Sequence, residues 1–456
     1  MKKLCYFLLL LFPVALVAQQ TRDKDSPLDH AWMNVGNPGF SPSEADYTSL
    51  AFSLAGEPYV AFKDEGNSLK ANVMKYNGTN WVQVGAPDFS AGGVSFTSLA
   101  FSPSGDPYVA FTDFGSSYKA TVMKFDGANW VNVGIPGFSA GFPQYTNLAF
   151  SPAGEPYVAY NDYVNSGATV MKFDGTNWVK VGDEGFSDEM ALYLSFAFGP
   201  AGQPYVAYKD EANSHKATVM KFDGTNWVTV GNAGFSAGEV SYTSLAFSPS
   251  GEPYVGYSDY ASAYKATVMK FNGSGWVNVG NAGFSTGFPE YTCLKFSPAG
   301  EPFVAFEDEA NNSKATVMKF DGTNWVVVGT AGFSADEADC TSLAFSLTGE
   351  PYVAFADSVV GATVMKFDSV YVGLHESTRS RVSVYPNPAT GYLTVETAYP
   401  IGKSYLTITD ITGKELISEK ITEPKTRLDI TSLPGGVYFL RLSQNESVTM
   451  EKFIKQ

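Results

Sequence analysis

The sequence predicts an all-β chain, a seven-bladed β-propeller followed by a smaller all-β unit. Three observations carry this. One segment recurs nearly unchanged, as KATVMKFDGANWVNVG at 119–134, KATVMKFDGTNWVTVG at 216–231 and KATVMKFDGTNWVVVG at 314–329. The seven tryptophans, Trp32, Trp81, Trp130, Trp178, Trp227, Trp276 and Trp325, stand 48 or 49 residues apart, a period typical of stacked supersecondary units. No segment keeps helical periodicity over three turns, while short runs rich in Val, Tyr, Phe and Thr alternate with Gly and Pro turns.

The unit that begins at Tyr242 shows the elements in order. YTSLAFS is a first strand, PSGEP a turn and YVGY a second strand. A polar loop over Ser258–Tyr264 leads into KATVMKF, the turn NGSG follows, and WVNVG is a short fourth strand. Hairpin-length turns join strands within a blade, so the longer GNAGFSAGEVS must step between blades. The chain opens with a lone fourth strand, Trp32–Gly36, and its last unit stops after a third strand at 362–367. The N-terminal strand is therefore expected to complete the last blade, with Tyr371–Gly373 as a weaker competitor. Apolar residues occupy both faces of these strands, so one unit cannot bury itself and a closed ring can.

The ends are set apart. Lys2 and Lys3 precede an apolar run from Leu4 to Val17, and Ala18 offers a small residue before Gln19. This is the layout of a secretory signal peptide over 1–18, too short for a membrane span. A linker over 19–31, a ring over 32–373 and a polar linker over 374–381 follow. The formal net charge of −16 would repel a phosphate backbone, which argues against nucleic acid as a partner. No later stretch suits a transmembrane segment, and a soluble monomer is expected. Beyond the leader only Cys293 and Cys340 remain, either a pair or two small buried thiols.

The ring is poor in catalytic residue types. It contains no arginine and one histidine, His215, so neither a histidine metal site nor a Ser-His-Asp triad can be drawn from it. Seven acids follow the second strands: Asp64, Asp113, Asp162, Asp210, Asp259, Asp308 and Asp357. Three loops extend them to Asp64-Glu65-Asn67, Asp210-Glu211-Asn213 and Asp308-Glu309-Asn311, oxygen-rich sets that could take calcium. Seven identical placements argue more strongly for a turn-stabilising role, with no cofactor required. Aromatics at the entrance of the first strands (Tyr47, Phe96, Tyr145, Tyr193, Tyr242, Tyr291) read first as interblade core. Phe114, Tyr163 and Tyr260 follow the acid in loops and are the sharper ligand-binding candidates, because exposed rings beside carboxylates suit sugars.

The pattern of an aromatic-rich strand turning into one that starts with Trp resembles kelch-type propellers over 32–373, without their paired glycines. DGTNW resembles the Asp-box turn of sialidase-like propellers, but the arginines such an enzyme would need are missing. After 381 the repeat gives way to about 75 residues of alternating strands. Tyr385-Pro386-Asn387-Pro388, Asp410 with Gly413-Lys414, Leu433-Pro434-Gly435-Gly436-Val437-Tyr438 and Lys452-Phe453-Ile454 closely resemble the C-terminal sorting domain of the type IX secretion pathway. That resemblance implies an immunoglobulin-like sandwich over 382–456, the type IX machinery as partner, and a destination outside the cell or on its surface. The functional expectation is a non-catalytic binding protein for a glycan or a surface protein. The alternatives are a carbohydrate-active enzyme using ring carboxylates and a structural spacer.

Overall fold

The structure is a computed structural model that describes residues 29–66, 68–370, 382–397, 404–410, 414–444 and 447–456. The expected leader, Asn67, Tyr371–Gly373, the 374–381 linker and Gly413 lie outside them. The chain divides into two compact units, one up to Val370 and one from Tyr371.

The larger unit is a succession of seven four-stranded antiparallel sheets. The first is built from Ala45–Phe52, Pro58–Asp64, Lys70–Tyr76 and Trp81–Gln83, in that order from the inside out. The seventh takes three strands from the end of the repeat, Ala338–Phe345, Pro351–Asp357 and Gly361–Val370, and its fourth from the N-terminus, Asp29–Asn34. Trp32 lies opposite Phe367 there, as Trp81 lies opposite Tyr76 in the first sheet. The innermost strand of every sheet packs on that of the next, and that of the seventh packs on the first. Four three-residue 3-10 turns are the only helical elements among the described residues.

The core sits between sheets. Seven apolar clusters each draw on two neighbouring sheets, including one that joins the seventh to the first through Ala354, Val364, Val60, Phe62 and Trp81. Second strands such as PYVAYND are buried along their whole length, as expected for strands covered on both faces.

Tryptophan closes the outer part of each seam. Trp227 of the fourth sheet donates its indole N–H to the Val181 carbonyl of the third, at 2.7 Å. Its ring is stacked on Phe186 with centroids 4.1 Å apart and touches Phe222 from the other side. Phe186 lies in the segment that crosses between the sheets. That segment is pinned to the third sheet by Phe186 N–H to Ala168 O, 2.9 Å, and Ala168 N–H to Ser187 Oγ, 2.9 Å. Gly182 precedes the crossing at φ +76°, where a Cβ would stand 2.9 Å from the indole. The same indole-to-carbonyl bond recurs at all seven tryptophans, at 2.6–2.8 Å.

Short polar side chains close the inner part. The hydroxyls of Ser49, Ser98, Ser195, Ser244 and Ser342 accept the amide N–H of a leucine in the following sheet at 2.9–3.0 Å. Cys293 Sγ takes this place once, at 3.4 Å from Leu343 N, and Asn147 donates instead to Leu194 O. Cys293 and Cys340 are both free thiols.

The smaller unit has a three-stranded sheet of Val382–Tyr385, Tyr392–Thr397 and Lys425–Asp429. Its four-stranded sheet holds Ser404–Thr409, Glu415–Ile421, Gly436–Gln444 and Ser447–Lys455. Leu393, Val395, Leu406, Ile408, Leu428, Leu440 and Phe453 form the apolar core the two sheets share.

Replacing Trp227 with Ala removes a buried aromatic and a buried hydrogen bond at one seam. The ring should lose about 3–5 kcal/mol of stability, measured by urea unfolding of the full chain. A loss under about 1 kcal/mol would mean that the indole is not what holds the seam.

Candidate functional site

The loops after the second strands and the starts of the first strands share one rim, because each first strand opens opposite the acid that ends the second, as Pro143 opposes Asp162. The candidate residues gather on this rim and around the ring axis.

A cavity of about 470 Å³ is lined by the innermost strands of all seven sheets. Each strand carries a bulge near its start, where pairing shifts by one residue, as between Asp46 and Ser49. The bulged residue has a positive φ in every sheet: Tyr47, Phe96, Tyr145, Tyr193, Tyr242, Tyr291 and Cys340, at 48–55°. L-residues rarely adopt this conformation, and a bulge re-aims the side chain. The six rings therefore line the axial cavity, each 4.7–5.3 Å from the next. These aromatics, expected between the sheets, stand instead around the axis. Cys340 breaks the series. Burial pushes the Tyr145 hydroxyl up to about 12 and, with Glu290 beside it, the Tyr242 hydroxyl still further.

The seven acids are buried, as turn-holding groups should be. Asp113 accepts from Gly115 N, 2.9 Å, and Ser116 Oγ, 2.8 Å; Asp259 accepts from Ala261 N, 3.0 Å, and Ser262 Oγ, 2.8 Å. Asp64 takes the Ser43 hydroxyl and Asn72 Nδ2. Asp210 and Asp308 each take an asparagine amide, from Asn213 and Asn311, and a threonine hydroxyl, from Thr218 and Thr316. Of the accompanying acids, Glu65 pairs with Lys63, while Glu309 is exposed. Among the described residues no group of three His, Cys, Asp or Glu side chains could hold a metal ion.

The loop aromatics do not form one patch. Tyr163 stands 62% exposed in the third sheet. Phe114 is half-buried beside Tyr118 in the second, with ring centroids 4.9 Å apart, and Phe142 meets Tyr118 edge-on. Tyr260 of the fifth repeats this with Tyr264 at 4.6 Å, and Phe288 meets Tyr264 edge-on. Tyr118 and Tyr264 are 55% and 53% exposed. Sequence reasoning missed these partners, although Gly-Phe-Pro occurs only at 141–143 and 287–289, each after a loop of the form Asp-aromatic…Tyr-Lys. His215 is an exposed loop residue.

One departure from the repeat concerns charge. Asp46 faces Lys63 across the first sheet, and the two bond at 2.9 Å. At the same positions of the sixth sheet Glu290 faces Glu307. Glu307 is 7% exposed and its Oε2 has no hydrogen-bond partner. Burial raises the Glu307 carboxyl most; a hydrogen bond with Ser313 opposes it, and a hydrogen bond with Asp339 together with the charges of Asp339 and Glu290 adds to it, so that the carboxyl is pushed up to about 8.

In the smaller unit the motif pieces hold one another. Asn387 donates to Lys452 O and accepts from Ile454 N, each at 3.0 Å. Lys414 N–H bonds Asp410, and Tyr438 OH donates to Pro434 O, 2.8 Å, with its ring on Phe453. Leu433 is buried, Gly436 pairs with Lys455, and Tyr385, Pro386 and Pro388 are exposed.

Glu307 yields a pH prediction. Its folded value lies above the ordinary 4.5, so its contribution is intact below that value and is lost as pH rises through about 8. The melting temperature of the parent should therefore fall relative to Glu307→Gln between pH 5 and pH 9. Parallel melting profiles across that range would show that the carboxyl ionises freely.

Residues 383–456 match the secretion system C-terminal sorting domain. The protein is exported by type IX secretion, to the cell surface or into the medium. No curated protein shows significant sequence similarity to the chain. Among solved structures, PorZ of Porphyromonas gingivalis, a surface component of the type IX secretion system, is 14% identical with a TM-score of 0.47. That match covers 91% of this chain, which spans 60% of the PorZ chain. The Aleuria aurantia lectin, a six-bladed β-propeller that recognises fucose, is 15% identical, with 66% of this chain and 99% of the lectin covered at a TM-score of 0.45. A Dyadobacter fermentans protein of unknown function is 11% identical, with 75% and 98% covered at 0.43.

Proposed function

We propose that residues 29–370 form a seven-bladed β-propeller, kelch-like in its strand pattern, that binds carbohydrate on one rim without catalysis or a cofactor. Residues 382–456 are then an immunoglobulin-like sandwich that serves export, and the secreted chain acts as a monomer.

The observation that carries this reading is the pair of exposed aromatic clusters, Phe114 with Tyr118 and Tyr260 with Tyr264. Tyrosine offers an apolar face and a polar tip, which matches a sugar's C–H face and hydroxyl edge. Tyr163 presents a further ring in the third sheet. The absence of arginine from 29–370 leaves no bidentate clamp for a carboxylated or phosphorylated sugar, so the ligand is a neutral or basic glycan. The repeated acids bond turn groups, which leaves them poor candidates for the paired carboxylates of a glycosidase.

The test is affinity electrophoresis of the full chain through gels containing neutral polysaccharides, with circular dichroism to monitor folding. The parent should be retarded by at least one polysaccharide. The combined Ala variant at Phe114, Tyr118, Tyr163, Tyr260 and Tyr264 should bind about tenfold more weakly or worse while keeping its fold. Unchanged retardation of the variant, or none for the parent, would refute the reading. Release of reducing sugar would replace it with an enzymatic one.

A further inference from the structure

We infer that the rim between the sixth and seventh sheets holds a primary ammonium group supplied by a ligand, and, resting on the carbohydrate reading above, that this ligand is an amino sugar.

The first sheet contains the template. There Lys63 Nζ lies 2.9 Å from Asp46 and 2.7 Å from Glu65, and 4.9 Å from the centre of the Tyr47 ring. The protein thus already builds one site in which two carboxylates and an aromatic face surround an ammonium, an arrangement favoured by charge and by the ring quadrupole. The sixth sheet repeats the residue pattern without the cation, with the counterpart of Glu65 exposed to solvent. Glu290 stands where Asp46 does, Glu309 where Glu65 does and Tyr291 where Tyr47 does, but the position of Lys63 is Glu307.

Like charges directly opposite on neighbouring strands destabilise a sheet. Here Asp339 of the seventh sheet crowds the pair as a third acid, so Glu307 keeps its proton up to about 8 and hydrogen-bonds Asp339 and Ser313; an ammonium that enters displaces that proton and neutralises the carboxylate in its stead. The Oε2 atom of Glu307 is buried without a partner, and an ammonium group brings three donors and no acceptor. A metal ion is a poorer occupant, since no group of three such side chains among the described residues could close around one. Cys340 is small where its six counterparts are aromatic, and its thiol lies 3.2 Å from Asp46 Oδ1 on the far side.

The neighbouring surface selects the rest of the ligand. Tyr242 OH donates to Glu290 Oε2 at 2.7 Å, and its ring lies 6.2 Å from Phe288. Phe288 in turn meets Tyr264 at 6.1 Å, so the acids continue directly from the aromatic cluster of the fifth sheet. A sugar ring stacked there brings an amino substituent within reach of Glu290. The matching cluster of the second sheet ends at Gln144 in place of Glu290, which provides an internal comparison.

Calorimetric titration of the full chain at pH 6 with the glucosamine disaccharide, its fully N-acetylated counterpart and Nα-acetyl-lysine methylamide tests this. The glucosamine disaccharide should bind, and the acetylated one about tenfold more weakly or worse. Glu307→Gln and Glu290→Gln should each lower affinity by about tenfold, with Gln144→Glu as a control that leaves it unchanged or raises it. Glu307→Lys, which copies Lys63, should abolish binding and raise the melting temperature; if that variant fails to fold, the two Gln variants decide. Equal binding of the acetylated disaccharide, or no effect of either Gln variant, would overturn the ammonium site. Lysine amide binding as well as the disaccharide would overturn the assignment to a sugar. Failure of the glucosamine disaccharide to bind a parent that neutral polysaccharides still retard would overturn this inference and leave the carbohydrate reading intact.

Discussion

The interaction on which the structure depends is the seam between adjacent sheets. No sheet can bury both of its faces alone, and no backbone ladder runs from one sheet to the next. Each seam is instead held on the outside by an indole between two phenyl groups or a phenyl and a phenol, and on the inside by serine and threonine hydroxyls, except between the third and fourth sheets, where Asn147 takes their place. Thr48 and Thr341, for instance, donate to carbonyls of the preceding sheet at 2.6 and 2.7 Å. Because every sheet belongs to two seams, stability passes around the ring, and the last seam matters as much as any other.

Repetition separates scaffold from surface within a single chain. Positions that all seven units share serve the seam or the turns: the tryptophan, the Gly-Phe-Ser-like crossing, the acid after the second strand. Apart from Cys293 and Asn147, which substitute for serine within two seams, the departures described above face the rim or the axis. The aromatic loops of the second and fifth sheets, Cys340 in the axial series and the Glu290–Glu307 pair are departures of this kind. A repeat that tolerates them without losing its seams can carry a different surface on each sheet.

Most of the fold was legible because one residue type marked the period. The lone Trp32 motif revealed that the chain starts out of phase, and its pairing with Phe367 follows from that offset. The equal placement of the acids pointed to local geometry, and five of them, Asp64, Asp113, Asp162, Asp259 and Asp357, accept a backbone amide of their own turn, whereas Asp210 and Asp308 bond only side chains there. The axial direction of Tyr47 and its counterparts was not legible, because it depends on a positive φ at a bulge that no residue type signals. The Glu290–Glu307 pair escaped notice because it requires knowing the register of two strands, and Asp339 because it arrives from the next sheet. Phe142 and Phe288 lie in the segments between repeats, where the reading followed the crossing rather than the side chains.

The central claim is that closure of the seventh seam by the N-terminal strand sustains the whole ring. Scanning calorimetry of the full chain and of one lacking residues 29–36 tests it most directly. Without that strand the seventh sheet loses Trp32, and Trp81 loses the Val35 carbonyl that it bonds at 2.6 Å. The account predicts that the ring then melts roughly 10 °C lower or more, with all seven sheets affected together, and that a peptide of residues 29–36 restores part of the loss. An unchanged melting temperature would contradict it, because the seven sheets would then be stable without a closed circle.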